Sequence, residues 1–159
     1  AFRHAAAAAH AAGRQVALSL SDPFCVDRHR AAFLDLVKQD VDILFANEAE
    51  VTSLYEENDF GAAAERARTD VALAALTRSE AGSVILRGAE TVEIAAEPAH
   101  VVDTTGAGDA YAAGFLAALT SGKSLPVCGR IASIAAAEVI SHFGARPQAD
   151  LRKLVAACA

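Results

Sequence analysis

Val101-Val102-Asp103-Thr104-Thr105-Gly106-Ala107-Gly108-Asp109-Ala110-Tyr111-Ala112-Ala113-Gly114-Phe115-Leu116 constrains this chain more than any other stretch. The apolar pair reads as the end of a strand, and the small-residue run after Gly108 reads as a helix. Between them lies a turn with Gly106 and Gly108 around Ala107. Glycines let backbone approach a bound anion closely, and the unpaired N–H groups of a first helical turn point at it. Asp109 then stands where a carboxylate can take a proton from a hydroxyl attacking a phosphoryl group. A plainer origin exists for the same residues, because Asp is favoured in first helical turns and Gly in turns generally.

The rest of the chain alternates strands and helices. Residues 1–12 read as an Ala-rich helix closed by Gly13, and Val16–Leu20 as a short strand. Ser21 to Phe24 forms a turn, after which Asp27 is expected to cap a helix reaching Lys38. Val41–Ala46 reads as a second strand, a helix follows from about Phe60 to Arg68, and Val71–Thr77 reads as a third strand. Ser83–Arg87 and Thr91–Ala95 form a hairpin turning at Gly88-Ala89. Helices from Ala107 to Leu119, from Pro126 to Ser141 and from Asp150 complete the chain. This order predicts an α/β fold: a doubly wound, mostly parallel, Rossmann-like sheet with helices on both faces, in one domain over residues 1–159. Ligands in such sheets bind beyond the C-terminal ends of the strands. The polar turns Ser21–Phe24, Asn47–Glu50, Thr77–Gly82 and Asp103–Asp109 are all expected there.

Charge and cysteine content narrow the function. A net charge of −6 argues against a general nucleic-acid or anionic-membrane binder, so a phosphate site has to be local. Cys25, Cys128 and Cys158 are widely spaced, with no Cys-x-x-Cys, which reads as reduced thiols in a cytoplasmic protein. No apolar run is long enough to span a bilayer. Gly122-Lys123-Ser124 has the tail of a Walker loop but position 117 is Ala, and the dinucleotide fingerprint fails at Tyr111. Asn47 and Glu50 form Asn-x-x-Glu, which is either a capping box or a pair that orders the water shell of a magnesium ion. His142 near a helix end reads as ordinary electrostatics, and Ala132, Ala135, Ala136 and Ala137 as close helix packing.

Asp-Thr-Thr-Gly-Ala-Gly-Asp at 103–109, followed by Ala112-Ala113-Gly114-Phe115, resembles the C-terminal signature of the ribokinase and adenosine kinase superfamily, the phosphofructokinase-B carbohydrate kinases. Ser21-Asp22-Pro23-Phe24 and Val41 to Glu50 look like its adenosine kinase branch. The resemblance implies a ribokinase-like fold and ATP-dependent phosphorylation of a hydroxyl on adenosine or a related nucleoside or sugar. It implies Asp109 as general base and Gly106, Ala107 and Gly108 as anion hole. It implies Asn47 and Glu50 around Mg²⁺, with Glu50 acting through water, and Thr77, Arg78, Gly82 and Thr105 near the nucleotide. Asp103 and Thr105 match positions of a monovalent cation site, with K⁺ the expected ion. Partners are then ATP and a small nucleoside or sugar, with no nucleic acid and no membrane. The sequence begins inside a helix without Met, and the family's N-terminal region is not in it, so a fragment is expected. The alternative is a non-catalytic nucleotide-binding module that lacks the acceptor-binding region.

Overall fold

The computed structural model describes residues 1–158. The elements run α1 (Phe2–Ala11), β1 (Ala17–Ser19), α2 (Pro23–Asp40), β2 (Ile43–Asn47), α3 (Glu48–Tyr55), α4 (Phe60–Asp70) and β3 (Leu73–Thr77). A short 3₁₀ turn (Ser79–Ala81) leads to β4 (Ser83–Arg87) and β5 (Glu90–Ile94), and then come α5 (Ala107–Thr120), α6 (Leu125–Ile140) and α7 (Leu151–Leu154). The five strands form one sheet in the order β1-β2-β3-β4-β5. β1, β2 and β3 are parallel, with Ala17 opposite Ile43 and Asn47 opposite Thr77. β4 and β5 are joined through Gly88-Ala89 alone, a link that only antiparallel neighbours can use, so the sheet is mixed. The chain separates into two compact units, Ala1–Thr77 with Val84–Thr91, and Arg78–Ser83 with Val92 onward.

In the first unit, Leu20, Val26, Val37, Leu44, Val51, Leu54 and Leu76 form a core sealed from solvent. Each such side chain contributes about 1.5–3 kcal/mol through burial. Ile43, Phe45, Leu73 and Ala75 alternate with Leu44, Ala46, Ala74 and Leu76 along β2 and β3 and are buried too. Both faces of these strands are therefore covered, as a doubly wound sheet requires. In the second unit, α5 and α6 pack so closely that a methyl on Gly114 would lie 3.1 Å from Ala132 Cα and 3.2 Å from Ala135 Cβ. Ala132 and Ala135 thus serve helix packing, as their small size suggests. Gly122, with φ of +75°, closes α5 and gives Gly122-Lys123-Ser124 its role as a helix end.

Two expectations are corrected. Asp22, not Asp27, caps α2: its Oδ1 accepts from the N–H of Phe24 at 2.7 Å and of Cys25 at 3.2 Å, with Pro23 in the first helical turn. Proline lacks an N–H and is pre-set for the first turn, so Asp-Pro is the stronger start signal. Asp27 instead pairs with Arg30 at 2.6 Å. Val101 and Val102 end no strand, since residues 95–106 have no regular structure. The N–H of Val102 donates to the carbonyl of Ile140, the last residue of α6, at 2.8 Å, and Val101 remains 58% exposed. An apolar pair without a neighbouring strand has no ladder to join.

Gly82 marks a place where backbone meets backbone. Its φ is +83°, and an added Cβ would collide with the Ile94 carbonyl oxygen and lie 2.9 Å from the Ala96 nitrogen. Gly88 also has positive φ, but nothing stands within 4 Å of its absent side chain. Gly82→Ala is expected to lose about 3 kcal/mol of stability in urea unfolding, from the close approach added to the backbone strain. Gly88→Ala is expected to lose only about 1 kcal/mol, the left-handed penalty alone. Equal losses would contradict the steric account of Gly82.

Candidate functional site

The turn before α5 is built by one carboxylate. Asp103 Oδ1 accepts from the N–H of Thr105 at 2.9 Å, and Oδ2 accepts from the N–H of Gly144 at 3.0 Å. The Thr105 hydroxyl, then the N–H groups of Gly144 and Thr105, draw the Asp103 carboxyl down from its ordinary 3.8 to about 2. Gly106 is the N-cap of α5 with φ of +80°, a conformation few L-residues adopt, and an added Cβ would stand 3.1 Å from Ala145 Cα. The turn is thus held from two sides, by Asp103 within it and by Gly144 and Ala145 across from it.

The first turn of α5 offers free donors. The N–H of Ala107 turns back to the Thr104 carbonyl at 3.2 Å, so it is partly engaged. Among the described residues no acceptor lies on the N–H groups of Gly108 and Asp109. Gly108 is exposed, and nothing stands within 4 Å of where its Cβ would be. Packing does not demand glycine there, and glycine weakens a helix by about 1 kcal/mol relative to alanine. What it does supply is bare backbone at a positively polarised helix end. Asp109, also exposed, is the acidic residue of this first turn. Two residues on, the Tyr111 hydroxyl donates to Ser83 Oγ at 2.8 Å in a buried position. Burial pushes the Tyr111 phenol up to about 12, so it stays a neutral donor.

The turn that carries Arg78 and Gly82 lies in the same unit. The N–H of Arg78 donates to the Gly82 carbonyl at 2.7 Å, closing the loop on itself. Ser79 within it has φ of +50°, a strained conformation for a non-glycine residue. Gly82 is explained by its close approach to β5, a role the sequence does not show.

In the other unit, Asn47, Glu50 and Thr77 gather at the C-terminal ends of β2 and β3. Asn47 is the N-cap of α3 and forms a full capping box. Its Oδ1 accepts from the Glu50 N–H at 2.8 Å, while Glu50 Oε2 accepts from the Asn47 N–H at 2.9 Å. Asn47 Nδ2 also donates to Glu50 Oε1 at 2.8 Å. Glu50 is only 6% exposed. Burial raises its pKa, the Asn47 N–H opposes that, and the negative charge of Asp22 raises it further. Asp22 caps α2 just past β1, so two interacting carboxylates stand at the ends of neighbouring parallel strands. Sequence reasoning missed Asp22 here, and the Asp-Pro pair was the available signal. Each Glu50 oxygen accepts one of these hydrogen bonds, and a carboxylate oxygen has the capacity to accept a second. A hydrated divalent cation fits this donor set, because it would offset the Asp22 charge that adds to burial in raising Glu50. Ser21, next to Asp22, has φ of +72°, so this turn also holds a strained residue.

Residues 1–151 match the pfkB family of carbohydrate kinases. Adenosine kinase from Sinorhizobium meliloti is 50% identical, with a TM-score of 0.95 over 99% of this chain and 49% of that one. Arabidopsis thaliana ribokinase, solved with ribose and ATP, is 27% identical, with a TM-score of 0.75 over 96% of this chain and 50% of that one. An uncharacterized sugar kinase from Archaeoglobus fulgidus is 35% identical over 114 residues, 71% of this chain and 45% of its own length. The chain therefore spans about half the length of these relatives.

The Asp103 linkage has a pH signature. Its folded pKa lies below the ordinary 3.8, so the stability it contributes is present above that value and is lost as pH falls through about 2. Wild type is expected to be more stable than Asp103→Asn near neutrality, and that advantage should shrink on acidification through this window. An advantage that stays constant in acid denaturation series would show that Asp103 does not hold the turn as an anion.

Proposed function

Because this chain belongs to the pfkB family of carbohydrate kinases, with a ribokinase-like fold, we propose that it is the nucleotide-binding half of an ATP-dependent kinase. The acceptor is a hydroxyl of adenosine or a related nucleoside or sugar. The observation that carries this reading is the first turn of α5, where open N–H groups at Gly108 and Asp109 accompany an exposed carboxylate. When bound, ATP with Mg²⁺ supplies the phosphoryl group to be transferred and neutralises part of its charge. Gly106 aims the turn, and the N–H groups of Gly108 and Asp109 hold phosphate oxygens by their fixed dipoles. Asp109 accepts the proton of the acceptor hydroxyl at its carboxylate as that oxygen becomes nucleophilic.

Asn47 and Glu50 orient water of the magnesium shell, with Asp22 adding negative charge beside them. Thr77 and Arg78 add a hydroxyl and a cation for the nucleotide phosphates. Asp103 and Thr105 shape a loop in which a monovalent cation such as K⁺ would sit against backbone carbonyls and strengthen the anion turn. Adenosine is preferred as acceptor because of the 50% identity to the Sinorhizobium enzyme over nearly the whole chain. A cytoplasmic setting would keep the thiols of Cys25 and Cys128 reduced.

The test is ATP-dependent phosphorylation of adenosine, ribose and fructose 6-phosphate, with Mg²⁺ and K⁺, by this chain and by a longer gene product that contains it. Turnover of adenosine is expected from the longer polypeptide. Asp109→Asn there should lower kcat by at least about a hundredfold, the usual weight of a general base, while ATP still binds. A loss smaller than about tenfold would remove Asp109 from that role. ATP binding without turnover of any acceptor by either polypeptide would favour a non-catalytic nucleotide-binding module.

A further inference from the structure

Glu138 belongs to none of the groups above, yet three groups converge on one of its carboxylate oxygens. Its side chain, on the last turn of α6, is only 9% exposed. Oε1 accepts from the N–H of Ala149 at 2.8 Å and of Gln148 at 2.9 Å, and lies 3.2 Å from His142 Nε2. Oε2 is buried, and among the described residues no donor reaches it. All the bonding therefore falls on a single oxygen, although an unpaired buried carboxylate oxygen is unfavourable. That arrangement suits a group whose position matters more than its own solvation.

The bonds close a loop. His142 sits at one end of the segment and Gln148 and Ala149 at the other, so Glu138 Oε1 gathers both ends to one point. Between them lie Gly144, whose N–H reaches Asp103 Oδ2, and Ala145, which stands against Gly106. Phe143 in the same loop is 80% exposed, so burial of its ring does not hold the loop in place. The geometry points to Glu138 as a positioning residue: it fixes the 142–149 loop, and through Gly144 and Ala145 it sets the turn that presents the α5 donors to phosphate. The second half of that statement rests on the anion reading of α5, whereas the first half does not.

The pair Glu138→Gln and Glu138→Asp separates position from fold. Glutamine keeps an acceptor oxygen at the same reach, while aspartate withdraws it by one methylene. Amide hydrogen exchange and binding of Mg·ATP are measured on the intact polypeptide, with melting temperature as a check on folding. In Glu138→Asp the amides of Gly144 and Thr105 should exchange at least about tenfold faster, as well as those of Gln148 and Ala149. The Asn47 and Glu50 amides should keep their rates, and Glu138→Gln should stay within about threefold of wild type at Gly144. The dissociation constant for Mg·ATP should rise about tenfold in Glu138→Asp and be restored in Glu138→Gln, as expected for donors moved off their line. Faster exchange confined to Gln148 and Ala149 would overturn the positioning role, and so would unchanged Mg·ATP binding despite release of Gly144. If wild type itself binds no Mg·ATP, the anion reading fails, and exchange at Gly144 and Thr105 alone decides whether Glu138 sets the turn.

Discussion

The carboxylate of Asp103 joins two segments 41 residues apart, and the turn between them depends on that bond. One oxygen closes the turn onto Thr105, and the other receives the N–H of Gly144. Gly106 can then enter its left-handed conformation against Ala145 without meeting a side chain of its own. α5 starts from that point, so the direction of its first N–H groups follows from the geometry of this one ionised group. An exposed ion pair would contribute little, but a carboxylate accepting backbone N–H bonds is held both by charge and by direction.

The second organising element is the parallel set β1, β2 and β3. Its register places Asn47 beside Thr77 at the same end, and the helix that follows β2 begins at once. Here the bonds that build the helix end are the same ones that shape the proposed magnesium shell. Asn47 and Glu50 satisfy each other as a capping box, so the helix end needs no ligand to be stable. The same bonds fix the Glu50 carboxylate in a buried position near Asp22, which is unfavourable for two anions and favourable for a cation between hydrated neighbours.

Much of this was legible in the chain itself. The strands β2 and β3 appear as continuous apolar runs because both of their faces are covered, and Gly88-Ala89 marks the hairpin because only such a pair turns so tightly. The signature at 103–109 stands out because glycine at Gly108 has no local reason in a helix. Other features were hidden for physical reasons. Val101 and Val102 look like a strand locally, but whether a segment is a strand depends on a partner, which sequence spacing does not contain. Gly82 carries a demand that the sequence does not show, the close approach of the Ile94 carbonyl, a contact set by the hairpin's closure. Asp27 competes with Asp22 as a cap signal in the linear pattern, because Ser21 to Phe24 resembles a complete turn, whereas Pro23 already opens the helix. Glu138 carried no signal at all: its three donors come from a loop whose path a linear pattern does not reveal.

The central claim is that phosphate is held by the first turn of α5. The most direct measurement is a backbone amide titration by nuclear magnetic resonance with Mg·ATP. The account predicts that the largest shifts fall on Gly106, Gly108 and Asp109, with Ala107 moving less because its N–H already faces Thr104. Saturable shifts that leave these amides unmoved, and appear elsewhere in the chain, would contradict it.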